Sequence, residues 1–362
     1  MKVLLATPLY PPDTGGPATD TVVLEKELPT YEIITETLSF GRVRHMPKGI
    51  RHIHYFFLLL KKARHKDCII ALDTFSVCLS ALCAAKILRK PLIVRVPGDY
   101  AWEQGVQRFG VTDTIEIFQT KRYGFLLEMI RTLQKFALKH ATHVVVPSDF
   151  LKNIVTEWGV PSEKLTRVYL GIPLSEEILL PKNVPEGKII FSLGRLVPWK
   201  GFSMIIELMK DLSDEWYVVI AGEGPLRKEL ELLATTLGVS PRVTFLGPIS
   251  HAEVLGWFRR ADVFVQNTSQ ETFSFQVLEA LAAGVPIVTT RVGPIPELIT
   301  DGIEGVLCSP NDKKVFTKAI VSVVDEPDVW RTRSIAARKR AENFSSEKSV
   351  HDFVSKVMKI YE

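Results

Sequence analysis

The sequence predicts an α/β protein built from two tandem, Rossmann-like, doubly wound domains that face each other across a cleft. Short apolar runs rich in β-branched residues alternate along the chain with longer helical patterns, which is typical of parallel sheets covered by helices on both faces. At 362 residues the chain is too long for one ordinary core. The alternation stops at a proline-containing stretch and then starts again, so we expect two domains of the same class.

The first domain is predicted to span residues 1–173. The apolar stretch at its N-terminus is short and leads into a loop rich in proline and glycine, so we interpret it as a buried strand and not as a signal peptide. The predicted strands lie near Val3–Ala6, Glu32–Thr35, Cys68–Leu72, Leu92–Val96 and His143–Val146. The predicted helices lie near Ala18–Glu27, Ile50–Lys62, Val77–Leu88, Tyr123–Lys139 and Asp149–Trp158.

The second domain is predicted over residues 174–344, after a stretch of weak periodicity that contains Pro173, Pro181 and Pro185. Its predicted strands lie near Ile189–Leu193, Trp216–Ala221, Val243–Leu246, Val263–Gln266 and Pro286–Thr289. Its predicted helices lie near Ser203–Leu212, Leu226–Leu237, Ala252–Arg260, Phe275–Ala283 and Val315–Val324. Ligands of such sheets bind beyond the carboxyl ends of the strands, so we expect an interdomain site.

A glutamate stands in an unusually apolar setting near the end of the second domain. From Thr272 to Thr290 the only ionisable side chain is Glu279. A buried carboxylate costs several kcal/mol unless a donor reaches it, and the neighbouring sequence supplies no partner. We therefore expect a ligand hydroxyl to satisfy Glu279; the alternative is a helix on which Glu271 and Glu279 are merely solvated.

Two cations follow the first strand of the second domain, in the segment Gly194–Gly201. A strand–loop–helix junction directs backbone N–H groups and a helix dipole at an anion, and cations at a helix start are unfavourable unless an anion lies between them. Arg195 and Lys200 are therefore predicted to bind phosphate; the alternative is that either one is a surface charge.

The spacing Glu271–Glu279, together with Phe273-Ser274 and Gly284-Val285-Pro286-Ile287-Val288, resembles the E-x7-E element of retaining, nucleotide-sugar-dependent glycosyltransferases of GT-B fold, in particular family 4. The segment Gly194–Gly201 is similar to that family's G-R-L-x-x-x-K-G element. The resemblance implies that Glu271 contacts hydroxyls of the donor sugar, that Glu279 holds the ribose, and that Arg195 and Lys200 grip the diphosphate. It also implies that a C-terminal helix, within 345–362 and near Lys348–Ile360, crosses back onto the first domain.

Several loops gain a role through the same resemblance. The loop Tyr10–Ala18 is similar to the family's Gly-Gly loop, which implies that Gly15 and Gly16 approach the donor phosphate and the acceptor. Gly222 and Gly224 follow one strand, and Gly247 follows the next; glycines allow close approach of a ligand, although they are also common turn residues. The candidate substrate-binding residues of the second domain are Arg195, Lys200, Gly224, Pro248, Ile249, Phe273, Ser274 and Glu279, with the backbone at Pro248 and Ile249 beside the nucleobase.

The chain departs from the family in the loop Pro97–Glu103, where many members carry a His that contacts the transferred sugar. No His stands there. We expect Asp99 to take over this contact, and the alternative is a turn Asp beside Gly98. Ser148 is expected to be a helix N-cap. The predicted catalytic residues are therefore Glu271, Asp99, Arg195 and Lys200.

A basic segment without Asp or Glu runs from Arg42 to Lys66, around the aromatic-aliphatic run Tyr55–Leu60. Its cations are Arg42, Arg44, Lys48, Arg51, Lys61, Lys62, Arg64 and Lys66. Such a segment suits an anionic membrane surface or a phosphate-bearing acceptor, and equally a solvated helix face. Tyr55–Leu60 is far too short to span a bilayer.

Neither the histidines nor the cysteines indicate a metal. His52 and His54 have no visible third ligand, and Cys68, Cys78, Cys83 and Cys308 lack paired metal-ligand spacing. We interpret the cysteines as reduced thiols and expect a cytoplasmic protein, peripheral at the inner face of the membrane. No cofactor, no metal and no nucleic-acid partner are expected.

The resulting hypothesis is a retaining, metal-independent hexosyltransferase of cell-envelope glycan synthesis. It would take a nucleoside diphosphate sugar as co-substrate and act on a hydroxyl of a glycan or lipid-linked acceptor. The alternatives are a sugar-nucleotide epimerase of the same fold and a non-catalytic nucleotide-sugar-binding protein. A phosphorylase-like or NAD-dependent enzyme is disfavoured, because the G-x-G-x-x-G fingerprint and a cofactor lysine context are missing.

Overall fold

The computed structural model describes residues 1–13, 15–47, 49–174 and 177–361, with the backbone alone for residues 360 and 361. Thr14 of the glycine loop and Lys48 of the basic segment lie outside the described residues. The chain divides into two compact units. Unit 1 comprises Met1–Pro173 and Ser345–Glu362, and unit 2 comprises Leu174–Phe344. The ligand roles that the sequence analysis gives to the two domains stay predictions.

Unit 1 contains a parallel sheet that has six strands within the described residues, in the order β2-β1-β3-β4-β5-β6. The strands are β1 Lys2–Thr7, β2 Ile34–Ser39, β3 Cys68–Ala71, β4 Leu92–Arg95, β5 His143–Val146 and β6 Leu165–Arg167. Alternate residues enter two different cores: Leu4 and Ala6 lie on one face of the sheet, and Val3 and Leu5 on the other. Burial of both faces explains why these strands are continuous apolar runs.

The helices of unit 1 cover both faces of this sheet. They are α1 Gly16–Glu27, α2 Ile50–Ala63, α3 Cys78–Leu88, α4 Tyr100–Arg108, α5 Ile115–Thr120, α6 Phe125–His140 and α7 Asp149–Glu157. Helix α1 contributes Val23 and Leu24 to the core on one face. Helix α2 contributes Tyr55 and Leu59 to the core on the opposite face.

Unit 2 repeats the architecture, with six parallel strands in the order β12-β11-β10-β7-β8-β9 among its described residues. The strands are β7 Lys188–Leu193, β8 Trp216–Ala221, β9 Val243–Gly247, β10 Val263–Gln266, β11 Ile287–Thr290 and β12 Val306–Cys308. The helices are α8 Phe202–Leu208, α9 Arg227–Thr236, α10 His251–Arg260, α11 Phe275–Ala283, α12 Ile295–Leu298, α13 Lys313–Asp325 and α14 Pro327–Ala341. In one core, the ring of Phe258 makes edge contacts with Phe191 and Phe264 at 5.3 and 5.2 Å between centroids.

The last helix, α15 Ser346–Lys356, returns to unit 1. The Ser346 amide donates to the Ile172 carbonyl oxygen at 2.9 Å, and the Ser349 hydroxyl donates to the Tyr169 carbonyl oxygen at 2.6 Å. Gly171 permits this approach, because a Cβ there would lie 2.4 Å from the Ser345 carbonyl oxygen. Phe353 of α15 completes the core beside Val3 and Leu5.

The strand predicted near Glu32–Thr35 is displaced: β2 begins at Ile34 and ends at Ser39. Glu32 has a left-handed φ of 58°, which ends the preceding turn and cannot belong to a strand. The sequence analysis also missed β6 and β12, which are three-residue edge strands. It missed α14 as well, since few of that helix's residues are buried and its apolar periodicity is weak.

A buried ion pair joins α1 to the carboxyl end of β4. Arg95 Nε and Nη2 donate to the Asp20 carboxylate at 2.8 Å each, and both side chains are at most 10% exposed. The guanidinium also lies over the Phe353 ring of α15, 4.7 Å from its centroid. Arg95 Nη1 is buried without a hydrogen-bond partner, so this cation depends on Asp20 for its compensation.

Replacing Asp20 by alanine is expected to lower the free energy of unfolding by about 3 kcal/mol, because it leaves a buried cation unpaired. Urea denaturation measures the change. Asp352→Ala, which removes an exposed pair with Lys356 on α15, is the matched control and should cost less than about 0.5 kcal/mol. Equal losses in the two variants would show that the buried pair is not important for stability.

Candidate functional site

The candidate site of unit 2 lies at the carboxyl ends of β7, β8, β9 and β10. The loops after β7 and β8 pack backbone against backbone: the Gly194 amide donates to Ala221 O, and the Leu196 amide to Glu223 O, both at 3.0 Å. A Cβ on Gly222 would lie 2.0 Å from Gly194 O, and one on Gly224 would lie 2.4 Å from Leu196 O. Both glycines are therefore required by loop packing, and a ligand contact at Gly224 stays a prediction.

The two cations of the β7 loop differ in environment. Arg195 is exposed, and its side chain has no ion-pair partner in the described ranges. The side chain of Lys200 is 12% exposed and forms an ion pair with Glu271. Arg195 is thus available to an anion, whereas the Lys200 ammonium already has a carboxylate beside it.

The β7 loop is held in place from β10. Asn267, directly after β10, donates from Nδ2 to the Gly201 carbonyl oxygen at 3.2 Å. The Trp199 carbonyl oxygen accepts from the Ser269 amide at 2.7 Å. Gly201 has a φ of +63°, and a Cβ there would lie 2.1 Å from the Asn267 carbonyl oxygen. The position of Lys200 therefore depends on a glycine that contacts Asn267.

Gly201→Ala is expected to displace this loop and to weaken nucleoside diphosphate binding about tenfold, since the new methyl group overlaps Asn267 and the left-handed backbone disfavours it further. Gly238→Ala is the matched control. Gly238 also has a positive φ, of +72°, but no atom lies within 4 Å of the added Cβ. Calorimetric titration with a nucleoside diphosphate compares the two variants, and equal affinities would contradict a role for the loop.

Glu271 belongs to a buried polar network at the end of β10. Besides Lys200, it accepts a hydrogen bond from Gln266 Nε2 at 3.3 Å. Gln266, which is 3% exposed, also contacts the Ser274 hydroxyl at 3.3 Å and accepts from Thr289 Oγ1 at 3.2 Å. Burial raises the pKa of the Glu271 carboxyl group, and the charge of Lys200 opposes that shift. The network fixes Glu271 beside the phosphate-binding segment predicted from the sequence.

Two residues next to Glu271 have structural roles. Ser274 is fully buried and caps α11, and its hydroxyl accepts from the Val277 amide at 3.4 Å. Its hydroxyl therefore lies among protein atoms, and a contact of Ser274 with substrate stays a prediction. Phe273 is 8% exposed and packs edge-on against Phe275.

Glu279 lies in the middle of α11 and is 8% exposed, as the apolar run predicts. Its partner is His251, whose Nε2 lies 3.0 Å from Glu279 Oε1. A protein donor thus meets part of the need of this carboxylate, and a ligand hydroxyl on Glu279 stays a prediction. His251 belongs to α10 and precedes Glu279 by 28 residues, so the sequence next to Glu279 does not indicate this contact.

The loop Gly247–Pro248–Ile249 connects β9 to α10. Pro248 is exposed and Ile249 is half-buried. The Gly222 amide donates to Gly247 O at 2.8 Å, which ties this loop to the loop after β8. The exposure of Pro248 is compatible with the contact between this loop and a nucleobase, which stays a prediction.

In unit 1, Gly15 is the N-cap of α1 and Gly16 is its first residue. Asp99 does not face an open surface. It is 1% exposed, caps α4 by accepting from the Trp102 amide at 3.1 Å, and accepts from Gln119 and Gln134 at 2.8 and 2.9 Å. These contacts make Asp99 a buried helix cap, which favours the alternative of a turn Asp, and its contact with the transferred sugar stays a prediction.

No arrangement of three or more His, Cys, Asp or Glu side chains in the described parts of the chain would hold a metal ion. The absence of a cofactor stays a prediction. Every helix among the same residues is too short or too polar to cross a bilayer.

Comparison with known proteins decides the family. Residues 177–343 match the model of glycosyl transferases group 1, and residues 12–176 match that of glycosyltransferase family 4. The chain belongs to the family 4 type of glycosyltransferases. The family resemblance predicted from Glu271, Glu279 and the β7 loop is therefore confirmed.

Curated relatives match part of the chain. An uncharacterized glycosyltransferase of Methanocaldococcus jannaschii is 27% identical over 230 residues, which is 63% of this chain and 61% of that protein. The glycogen synthase of Mycobacterium tuberculosis is 28% identical over 222 residues, 60% of this chain and 54% of the relative. The matched region thus spans little more than half the length of these relatives.

Solved structures match nearly the whole chain in fold. Sucrose-phosphate synthase from Thermosynechococcus elongatus has a TM-score of 0.79 at 18% identity, with 99% of each chain covered. Anabaena HepE, crystallised with UDP-glucose, has a TM-score of 0.76 at 17% identity, with 99% and 100% covered. At these identities the match concerns the fold, and it confirms the predicted two-domain α/β class, GT-B.

Proposed function

We propose that the chain is a retaining hexosyltransferase that moves a hexose from a nucleoside diphosphate sugar to a hydroxyl of a glycan or lipid-linked acceptor, without a metal ion. The observation that carries the proposal is the set of charges at one edge of unit 2: exposed Arg195, the Lys200–Glu271 pair and the buried Glu279. HepE with UDP-glucose supports a uridine nucleotide as the first donor to try.

In this reaction the main task of the protein is to stabilise the negative charge on the departing diphosphate. The bond between the anomeric carbon and the β-phosphate oxygen breaks, and a bond to the acceptor oxygen forms on the same face. The acceptor proton passes to the departing phosphate oxygen. Arg195 and Lys200 stabilise the negative charge that develops on the diphosphate, which is commonly the largest catalytic contribution. Glu271 accepts from hydroxyls of the sugar, and Glu279 from those of the ribose.

The Lys200–Glu271 contact fits this assignment. The diphosphate brings negative charge to Lys200, and the sugar brings hydroxyl donors to Glu271, so the two side chains exchange one partner for another when the donor binds. Gln266 keeps Glu271 in place during that exchange.

A thermal-shift panel of UDP, GDP, ADP and their glucose conjugates tests the proposal, because a bound ligand raises the melting temperature according to its affinity. We expect one nucleoside diphosphate to stabilise the chain by several degrees. Incubation with the sugar nucleotide alone then separates the alternatives: an epimerase converts it without an acceptor, a transferase hydrolyses it slowly, and a binding protein leaves it intact. No shift with any nucleotide would refute all three.

Contact with an anionic membrane is part of the proposal, and we assign it to helix α2 and its neighbours in the basic segment. Lys62 and Lys66 pair with Glu36, and Arg44 pairs with Asp13, so part of the basic segment is neutralised. Helix α2 nevertheless exposes large apolar side chains at helical spacing, together with Lys61, which is exposed and has no ion-pair partner among the described residues. The apolar residues are Ile50, Ile53 and Phe57.

Ile53→Ser with Phe57→Ser is expected to lower binding to phosphatidylglycerol vesicles by about tenfold, because two apolar side chains no longer enter the interface. Vesicle sedimentation measures it, at low and high salt. Leu232→Ser, at an equally exposed apolar position of α9, is the control. Wild-type protein that stays in the supernatant at low salt would rule out this surface.

A further inference from the structure

The contact between His251 and Glu279 joins two helices at the edge of the candidate site. Glu279 is buried in α11, and one of its carboxylate oxygens, Oε1, lies 3.0 Å from His251 Nε2. The His251 side chain is 42% exposed, whereas that of Glu279 is 11% exposed. A buried carboxylate has a strong need for a donor, and this ring meets it at one oxygen.

The fold fixes the backbone from which this ring projects. His251 is the first residue of α10, and a capping box holds the start of that helix. The Ser250 hydroxyl accepts from the Glu253 amide at 3.3 Å, and the Glu253 carboxylate accepts from the Ser250 amide at 2.8 Å. The Cα of His251 therefore has a defined place relative to α11, and the contact with Glu279 orients the ring.

His251 also follows directly after the loop that contains Pro248 and Ile249, at which a nucleobase contact is predicted. Glu279 is the residue assigned to the ribose. The imidazole thus lies between the loop predicted to contact the base and helix α11, whose Glu279 is assigned to the ribose. The Lys200–Glu271 pair is assigned to the phosphate and the sugar.

We propose that His251 is a positioning residue for the nucleoside. Its Nε2–H donates to Glu279 Oε1, which orients the carboxylate so that Oε2 accepts from a ribose hydroxyl. The inference rests on the proposed function, because it takes Glu279 as the ribose ligand. It assigns His251 to recognition of the nucleoside half of the donor and not to the diphosphate.

The test compares two ligands in two variants. Calorimetry with UDP and with inorganic diphosphate is carried out on wild type, His251→Ala and His251→Gln. We expect His251→Ala to weaken the affinity for UDP about tenfold, which is the effect of one misdirected hydrogen bond to a charged group. The affinity for inorganic diphosphate should change less than twofold. His251→Gln keeps a donor and should recover most of the UDP affinity. His65→Ala, an exposed histidine of unit 1, is the matched control.

A double-mutant cycle with Glu279→Ala isolates the coupling between the two side chains. If His251 acts through Glu279, the double variant binds UDP no more weakly than Glu279→Ala alone. Additive losses, or equal losses of UDP and inorganic diphosphate, would overturn the inference and leave the proposed function intact. Absence of UDP, GDP and ADP binding in the wild type would overturn both.

Discussion

Replacement of both Arg195 and Lys200 by alanine is expected to lower transfer from the sugar nucleotide about 10⁴-fold. The physical reason is that both cations are assigned to the oxygen atoms on which charge develops, and removal of a single group of this kind commonly costs about 10²- to 10³-fold. Single-turnover assays with radiolabelled donor measure the loss. Arg195→Ala alone is the cleaner variant, because no ion pair of the described chain depends on Arg195, whereas Lys200→Ala also leaves Glu271 without its cation.

The matched control replaces two exposed cations of unit 2, Lys228 and Arg259, by alanine. It removes the same charge from unit 2 without touching the β7 loop. We expect activity within twofold of wild type. If the control and the Arg195/Lys200 variant lose activity equally, the effect is one of net charge, and the assignment of the phosphate site is wrong.

Glu271→Ala and Glu279→Ala are expected to separate chemistry from binding. Glu271→Ala should lower turnover about 10³-fold and change UDP affinity less than threefold, since our proposal assigns Glu271 to the sugar and not to the nucleotide. Glu279→Ala should weaken the affinity for UDP at least tenfold and should affect turnover at saturating donor much less. Calorimetry and saturation kinetics give the two quantities separately. Small and equal effects of both variants would contradict the roles that their spacing implies.

The sequence predicts the fold well where apolar runs are long. Strands β5, β8 and β10 and helix α11 have the predicted limits, because each is a mostly apolar and largely buried segment. The edge strands β6 and β12 are three residues long, and so short a run has no periodicity to detect. Glu32 was assigned to a strand because its local propensity does not reveal a left-handed backbone.

The sequence predicts which residue types the candidate site contains, but it does not predict which side chains contact one another. Apolar neighbours show from the sequence that Glu279 is buried, yet its donor, His251, is brought to it only by the packing of α10 against α11. Gln266 is not part of a recognisable motif, and its contact with Glu271 depends on the turn after β10. Asp99 was the opposite case: an acidic residue in a suggestive loop proved to be a buried helix cap.

The most direct measurement is a crystal structure of the chain with UDP-glucose. Our account predicts the β-phosphate within hydrogen-bonding distance of Arg195 and Lys200, the ribose on Glu279 with His251 still bonded to Oε1, and the glucose hydroxyls on Glu271. A nucleotide bound elsewhere, or bound in unit 2 with Glu279 and Arg195 both remote from it, would contradict the central claim.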